Sequence, residues 1–178
     1  CCTFILNVAP NRDGLFDRNA VDALRQIGKL WKDDGKQHAV AETGAPIIST
    51  NLAKHKATIG SWSYDMNQHD LATDDNFSSS WVAHPSVKEP WIQVELGDVY
   101  PVNAVVLTDR DDNAIKAYKI ECRNNGEWIT VYQGPATTDK RVKINRFEST
   151  LADAVKMTVT DAQGNVQIRE LGVYNEKR

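Results

Sequence analysis

From Asn51 onward the apolar residues recur at every second position, and turn residues break this pattern at short intervals. No other feature restricts the chain as much. Ile92, Val94 and Leu96 alternate with Trp91, Gln93 and Glu95, and Gly97-Asp98 ends the run. Val102 to Leu107 reads as a second strand. Tyr118 to Arg123 and Glu127 to Gln133 flank Asn124-Asn125-Gly126, a hairpin signal because Asn and Gly tolerate positive φ. Val142-Lys143-Ile144, Val155 to Thr160 and Ile168 to Tyr174 add three strands, the last two separated by Ala162-Gln163-Gly164-Asn165. Short strands at this spacing, with no helical pattern between them, predict an antiparallel sandwich or barrel.

The head of the chain follows another period. Ala20, Leu24, Ile27 and Trp31 recur at helical spacing, while Arg18, Asp22, Arg25, Lys29 and Lys32 take the other faces. Asp17 suits the N-cap, and Gly35 follows the last apolar position. The stripe predicts an ordinary core-facing helix. Before it, Cys1-Cys2-Thr3-Phe4-Ile5-Leu6-Asn7-Val8 is an apolar, strand-like run with no basic segment in front and no cleavage pattern behind, so it is not a signal peptide. A bare strand of this kind points to a piece of a longer protein.

Composition excludes several classes of function. Among 178 residues, 21 basic and 24 acidic side chains give a net charge of -3, without a Lys/Arg run, so neither nucleic acid nor an anionic membrane is indicated as partner. No apolar stretch approaches the roughly 20 residues that span a bilayer. Three cysteines imply no disulfide framework, and Cys122, in phase with Tyr118 and Ile120, reads as a buried thiol. His38, His55, His69 and His84 lack metal-binding spacing, and neither a nucleophile elbow nor a phosphate-cradling glycine loop is present. A glycosidase needs two carboxyls about 5 Å or 6.5–9.5 Å apart across a cleft, which the short loop with Asp109, Asp111 and Asp112 does not supply. Autonomous catalysis is not expected.

Five separated motifs then carry a resemblance. They are Asn51-Leu52-Ala53 with Lys56-Ala57-Thr58; Leu71-Ala72-Thr73-Asp74-Asp75-Asn76-Phe77-Ser78-Ser79-Ser80-Trp81; Trp91-Ile92-Gln93-Val94-Glu95-Leu96-Gly97; Val102 to Leu107; and Ile168-Arg169-Glu170-Leu171-Gly172-Val173-Tyr174. In order and spacing they resemble the discoidin, or factor V/VIII type C, family of galactose-binding-like domains, which includes many carbohydrate-binding modules of glycoside hydrolases. Phe4 to Leu15, with Gly28-Lys29-Leu30-Trp31, is similar to the last strand, loop and helix of the α-L-fucosidase barrel. The two resemblances imply a mainly β chain: a jelly-roll β-sandwich over 51–178, a linker over 37–50, and a strand–helix remnant of a (β/α) barrel over 1–36. They further imply the C-terminal part of a secreted or periplasmic hydrolase whose catalytic nucleophile lies upstream.

The resemblance also implies sites. In the resembling modules Ca²⁺ is held at positions that correspond here to Asp74, Asn76, Ser79 and Glu170, helped by the carbonyls of Leu71 and Arg169. Such an oxygen-rich set suits a hard cation, in a structural role. This chain has Asp75 where the family usually has Gly, and Ser79 where it has Thr; Asp tolerates positive φ better than most residues. The other reading is a solvated acidic loop with Glu170 paired to a neighbouring Arg or Lys. Sugar binding is implied on loops at one end of the sandwich. Trp62 or Tyr64 would cover a pyranose C–H face, and Arg110, His84 and Asn113 would bond its hydroxyls. The loop after Arg110 is shorter than in many sugar-binding members. The implied ligand is a glycan ending in galactose or fucose, and the implied partner is the catalytic barrel of the same chain. The plain alternatives are Trp81, Trp91 and Trp128 as packing residues, Trp62 and Tyr64 as cover for the connection to the barrel, and Arg110 in a surface ion pair. The module as a whole would then be a structural neighbour that binds no glycan. Adhesion to protein or lipid needs exposed apolar loop tips, and the loops are polar.

Overall fold

In a computed structural model, residues 11–30, 47, 49–64, 68–110 and 114–176 are described. The chain divides into two compact units, Cys1–Glu42 and Thr43–Arg178, taken separately here. In the first, helix α1 spans Arg18–Leu30. Asp17 stands just before it, and its carbonyl accepts the Val21 N–H at 3.1 Å, as an N-cap carbonyl does. The expected core-facing stripe is corrected: α1 buries none of its residues, with Leu24 36% and Ile27 39% exposed. A helix stripe is buried only where a second layer covers it, and the described residues of this unit supply none. The strand expected at 4–8, Trp31, Gly35 and nearly all of the linker lie outside the described residues.

The second unit contains β1 (Thr58–Gly60), a 3₁₀ turn (His69–Ala72), β2 (Trp81–Val82), β3 (Trp91–Asp109), β4 (Ile115–Asn124), β5 (Glu127–Pro135), β6 (Val142–Ala162) and β7 (Gln167–Tyr174). All pairings are antiparallel. Runs that look separate in the sequence join here. The 91–97 and 102–107 strands are two halves of β3, and the 142–144 and 155–160 strands are two halves of β6. The first half of β3 pairs with β1 and with the second half of β6, which continues to β4 and β5. Its second half pairs with β7 and the first half of β6, and β7 carries β2. Register breaks between Glu95 and Tyr100 and between Val102 and Ala104 let both strands pass from one layer to the other. Gly97, at φ 84, takes the sharp part of that corner.

The core lies between the layers. Trp81, Ile92, Val94, Leu96, Leu107, Ile115, Tyr118, Ile120, Met157, Ile168 and Leu171 are fully buried, as the period of two predicts. Cys122 is buried as expected, and burial pushes its thiol up to about 12. Asn125 and Gly126 turn the β4–β5 hairpin at φ 51 and 82. On the outer face Arg123 donates to Glu95 and Asp153, each at 2.6 Å, and the Lys156 ammonium sits 4.5 Å from the Trp128 ring centroid. Trp128 therefore packs under cations, and Trp81 belongs to the core.

One polar pair inside the core sets the end where the loops gather. Asp109, at the end of β3, and Lys143, in β6, are 1% and 0% exposed and 3.5 Å apart. The Asp109 carboxylate also accepts the Arg110 and Ile115 N–H groups at 2.9 and 3.0 Å, so it clamps both ends of the β3–β4 loop. Burial lowers the Lys143 pKa, and the facing carboxylate opposes that shift. Removing one member of such a pair leaves a buried charge uncompensated. Lys143→Met is expected to cost about 3–5 kcal/mol in urea denaturation.

Candidate functional site

Four connections meet at the end of the sandwich that Asp109 organises. The loop after β1 holds Trp62 and Tyr64, which are 65% and 51% exposed. The segment after β2 holds His84, and the β6–β7 turn lies beside the loop that begins at Arg110. Backbone bonds tie these connections together. Tyr64 N–H donates to the Val82 carbonyl at 2.8 Å, His84 N–H to Trp62 at 2.8 Å, and Ala83 N–H to Val166 at 3.0 Å. The indole of Trp62 lies face to face with the His84 imidazole, with centroids 3.7 Å apart and planes at 8°. Tyr64 is tilted against the same ring at 6.1 Å. The Ser86 N–H donates to His84 Nδ1 at 3.2 Å, and the Ser86 hydroxyl lies 2.7 Å from the same nitrogen.

A cleft of about 260 Å³ opens beside this aromatic group, lined by Tyr64, Val82, Pro85, Arg110, Asn165 and Gln167. Arg110 Nη1 donates to Gln167 Oε1 at 2.7 Å, which fixes the guanidinium at the rim. A neighbouring concavity of about 390 Å³ shares Arg110, Asn165 and Gln167. The structure thus brings Trp62, Tyr64, His84 and Arg110 to one end of the sandwich. Asn113 lies outside the described residues. Asn165 and Gln167 were missed, because the turn at 162–165 read only as punctuation between strands. Of the acidic neighbours considered for an ion pair with Arg110, Asp111 and Asp112 lie outside the described residues. Asp109 is turned inward to Lys143, and the guanidinium meets an amide oxygen.

The acidic loop takes the conformation its composition implies. Asp75 sits at φ 60, where the family usually has Gly, and its carboxylate pairs with Lys54 at 2.5 Å. Asp74 Oδ1 accepts the Asn76 N–H at 2.9 Å, and Ser79 Oγ lies 2.6 Å from Asp74 Oδ2 and 2.8 Å from the Asn76 carbonyl. Glu170 is 5% exposed. Its Oε1 accepts from Asn51 Nδ2 at 3.3 Å, while the buried Oε2 has no hydrogen-bond partner. Among the described residues no Lys or Arg pairs with Glu170, contrary to the solvated-loop reading. Burial, and then the charge of Asp74, push its pKa up to about 7. Asn51, recognised only as a motif residue, also accepts the Ala53 and Val173 N–H groups at 3.0 Å each, which joins the loop region to β7. No three His, Cys, Asp or Glu side chains cluster as a metal site among the described residues. The donors here are mixed oxygens instead, and an orphaned buried carboxylate oxygen beside them fits a hard cation.

Comparison with known proteins places these observations. The F5/8 type C domain model matches residues 54–171. Alpha-L-fucosidase 1 of Arabidopsis thaliana is 25% identical over 187 residues, covering 99% of this chain and 34% of that protein, so the chain spans about a third of its relative. Chitosan-binding module 1 from the chitosanase/glucanase of Paenibacillus sp. IK-5 superposes with a TM-score of 0.65 at 26% identity, covering 71% of this chain and 99% of that module. The family 32 carbohydrate-binding module of C. perfringens NanJ, solved in complex with galactose, gives 0.66 at 24% identity, covering 72% and 100%.

The raised Glu170 pKa has a direct consequence for stability. The folded carboxyl holds its proton up to about pH 7, against 4.5 for the ordinary group, so its contribution is complete below 4.5 and is lost as pH rises through 7. In chelator, the melting temperature is expected to fall between pH 4.5 and 7, and Glu170→Gln to flatten that slope.

Proposed function

Because the chain belongs to the F5/8 type C domain family, with the fold of carbohydrate-binding modules, we propose that residues 51–178 form a non-catalytic glycan-binding module. The Trp62–His84 stack carries this reading. An indole 65% exposed contributes little to the core, yet it lies flat against a second ring. A pyranose offers an apolar C–H face to such a platform and a rim of hydroxyls to directed polar groups. Arg110, oriented by Gln167, supplies donors, while the Asn165 and Gln167 amides supply both donors and acceptors. Because the platform and the Arg110–Gln167 pair are ordered beforehand, binding costs less side-chain entropy.

The ligand we propose is a galactose- or fucose-type glycan. The Paenibacillus neighbour binds chitosan and the NanJ neighbour is in complex with galactose. Among the described residues, the cleft presents the Arg110 cation and no available carboxylate, since Asp109 is spent on Lys143. The likeness to the plant fucosidase over 99% of this chain supports placing the module in an α-L-fucosidase-like hydrolase, secreted or periplasmic, with the catalytic barrel as its partner. Holding such an enzyme on its glycan raises the local concentration of cleavable bonds.

We further propose that Ca²⁺ closes the acidic loop onto β7. Asp74, Asn76, Ser79 and Glu170 are the side chains that would hold it, with the carbonyls of Leu71 and Arg169. The orphaned Glu170 Oε2 and the charge of Asp74 beside it support this reading. The cation would supply the positive charge that the buried carboxylate lacks. At pH 8, Ca²⁺ at a hundred times its Kd is expected to add about 2.7 kcal/mol of stability, and Asp74→Asn to abolish the gain.

A glycan array probed with the calcium-loaded protein tests the sugar site. Selective binding is expected; Arg110→Ala should weaken it by about 1.5–3 kcal/mol, the usual worth of a charged hydrogen bond, and Trp62→Ala by about 0.5–1.5 kcal/mol or more, with folding unchanged. No binding by a folded sample would leave the sandwich as a structural neighbour of the barrel.

A further inference from the structure

Trp62 is exposed, but the residues on either side of it, Ser61 and Ser63, are half-buried, and one side chain meets them both. It is His69, the first residue of the 3₁₀ turn. Its Nε2 lies 2.9 Å from the Ser61 carbonyl and 3.2 Å from Ser63 Oγ. A carbonyl oxygen only accepts, so the bond to Ser61 puts a proton on Nε2.

The imidazole is itself held in place. Its centroid is 5.8 Å from that of Trp81, which is fully buried and donates its indole N–H to Ser63 Oγ at 2.9 Å. The ring also lies against Gly60, where a Cβ would come within 2.5 Å of His69 Cδ2 and 2.7 Å of the Trp91 carbonyl. Glycine is needed at that position for the ring and the backbone to approach so closely. Ser61 adds two bonds to the start of β3: its N–H donates to the Trp91 carbonyl at 2.9 Å, and its hydroxyl accepts the Trp91 N–H at 3.1 Å.

We infer that His69 is a positioning residue for the binding platform: it sets the place of Trp62 by holding the carbonyl before it and the hydroxyl after it. The inference rests on the reading of Trp62 as a sugar platform. His69 is absent from the lining of the cleft beside Tyr64, so it acts through the loop and leaves the ligand to others. His84 stacks on the indole and gives its N–H to the Trp62 carbonyl at 2.8 Å, yet these contacts place the indole only while the backbone at 61–63 stays where it is. An exposed ring loses rotamer freedom when a ligand immobilises it, and a backbone fixed in advance lowers that cost.

Hydrogen exchange and calorimetry on the full chain with calcium test this. In His69→Ala the Ser61 and Tyr64 amides are expected to exchange about fivefold faster or more, the worth of one lost hydrogen bond, with the β4–β5 amides unchanged. Galactose or fucose should then bind about two- to tenfold more weakly, the cost of ordering one side chain. His69→Gln, whose amide nitrogen reaches the place of Nε2, should restore both. In a Trp62→Ala background, the effect of His69→Ala on affinity should shrink to within about twofold, because the two residues act as one. Unchanged exchange or affinity in His69→Ala, His69→Gln no better than His69→Ala, or an undiminished effect in the Trp62→Ala background overturns the positioning role. Lost protection in β4–β5 as well would mark the ring as core packing and overturns it too. Binding of neither sugar by the unaltered chain overturns the platform on which the role rests, whatever the exchange shows.

Discussion

The ladder between β3 and β6 is the constraint on which the rest of the molecule depends. Trp91 faces Thr158 and Thr108 faces Val142, so one pair of strands spans both layers and carries every other strand directly or at one remove. Where the pair crosses between layers, its register breaks and Gly97 turns the chain. Both ends of the folded ribbon, the β3 terminus at Asp109 and the β6 terminus at Ala162, thereby arrive near the same loops. The site is a consequence of that convergence. No long loop has to reach for it.

Two buried carboxylates show how the fold treats charge. Asp109 lies inside with an ammonium and two amide donors, and its work is to hold the loop that begins with Arg110. Glu170 lies inside with the Asn51 amide, the Asp75 backbone and the charge of Asp74 near it, and burial above all raises its pKa. A buried charge needs a partner. The first finds its partner in the chain; the second has no Lys or Arg paired with it among the described residues and keeps its proton to higher pH.

Much of the fold was legible because Ile92-Val94-Leu96 and Tyr118-Ile120-Cys122 are apolar and buried at alternate positions, and because Asn125-Gly126 announces its turn. The first half of β6 was read as a strand, but the partners of its inward face were not legible. There the inward side chains are Lys143 and Asn145, while Val142 is 44% exposed. Lys143 answers Asp109, and Asn145 accepts from the Tyr118 hydroxyl and donates to the Val105 carbonyl, so polar groups fill a core face. An apolar period cannot reveal a partnership made across the sandwich. The division of β3 into two strands failed for a related reason: a bulge looks like an end when only the sequence is read. At the candidate site, Trp62, Tyr64, His84 and Arg110 were singled out through the family resemblance, and the structure brings them to one end of the sandwich. Gln167 and Asn165 carry no pattern of their own and matter only through the loops they face.

The β3–β6 pairing also governs time. Trp91 has no partner in its layer's central ladder until Thr158 has been synthesised, and Thr108 waits for Val142. Sheets closed by contacts so distant along the chain fold slowly. A ribosome thus releases nearly the whole domain before its two layers can close, and the exposed halves of β3 spend that interval as unprotected strands. The interval belongs to the topology, so substitutions on the binding loops would leave it nearly unchanged.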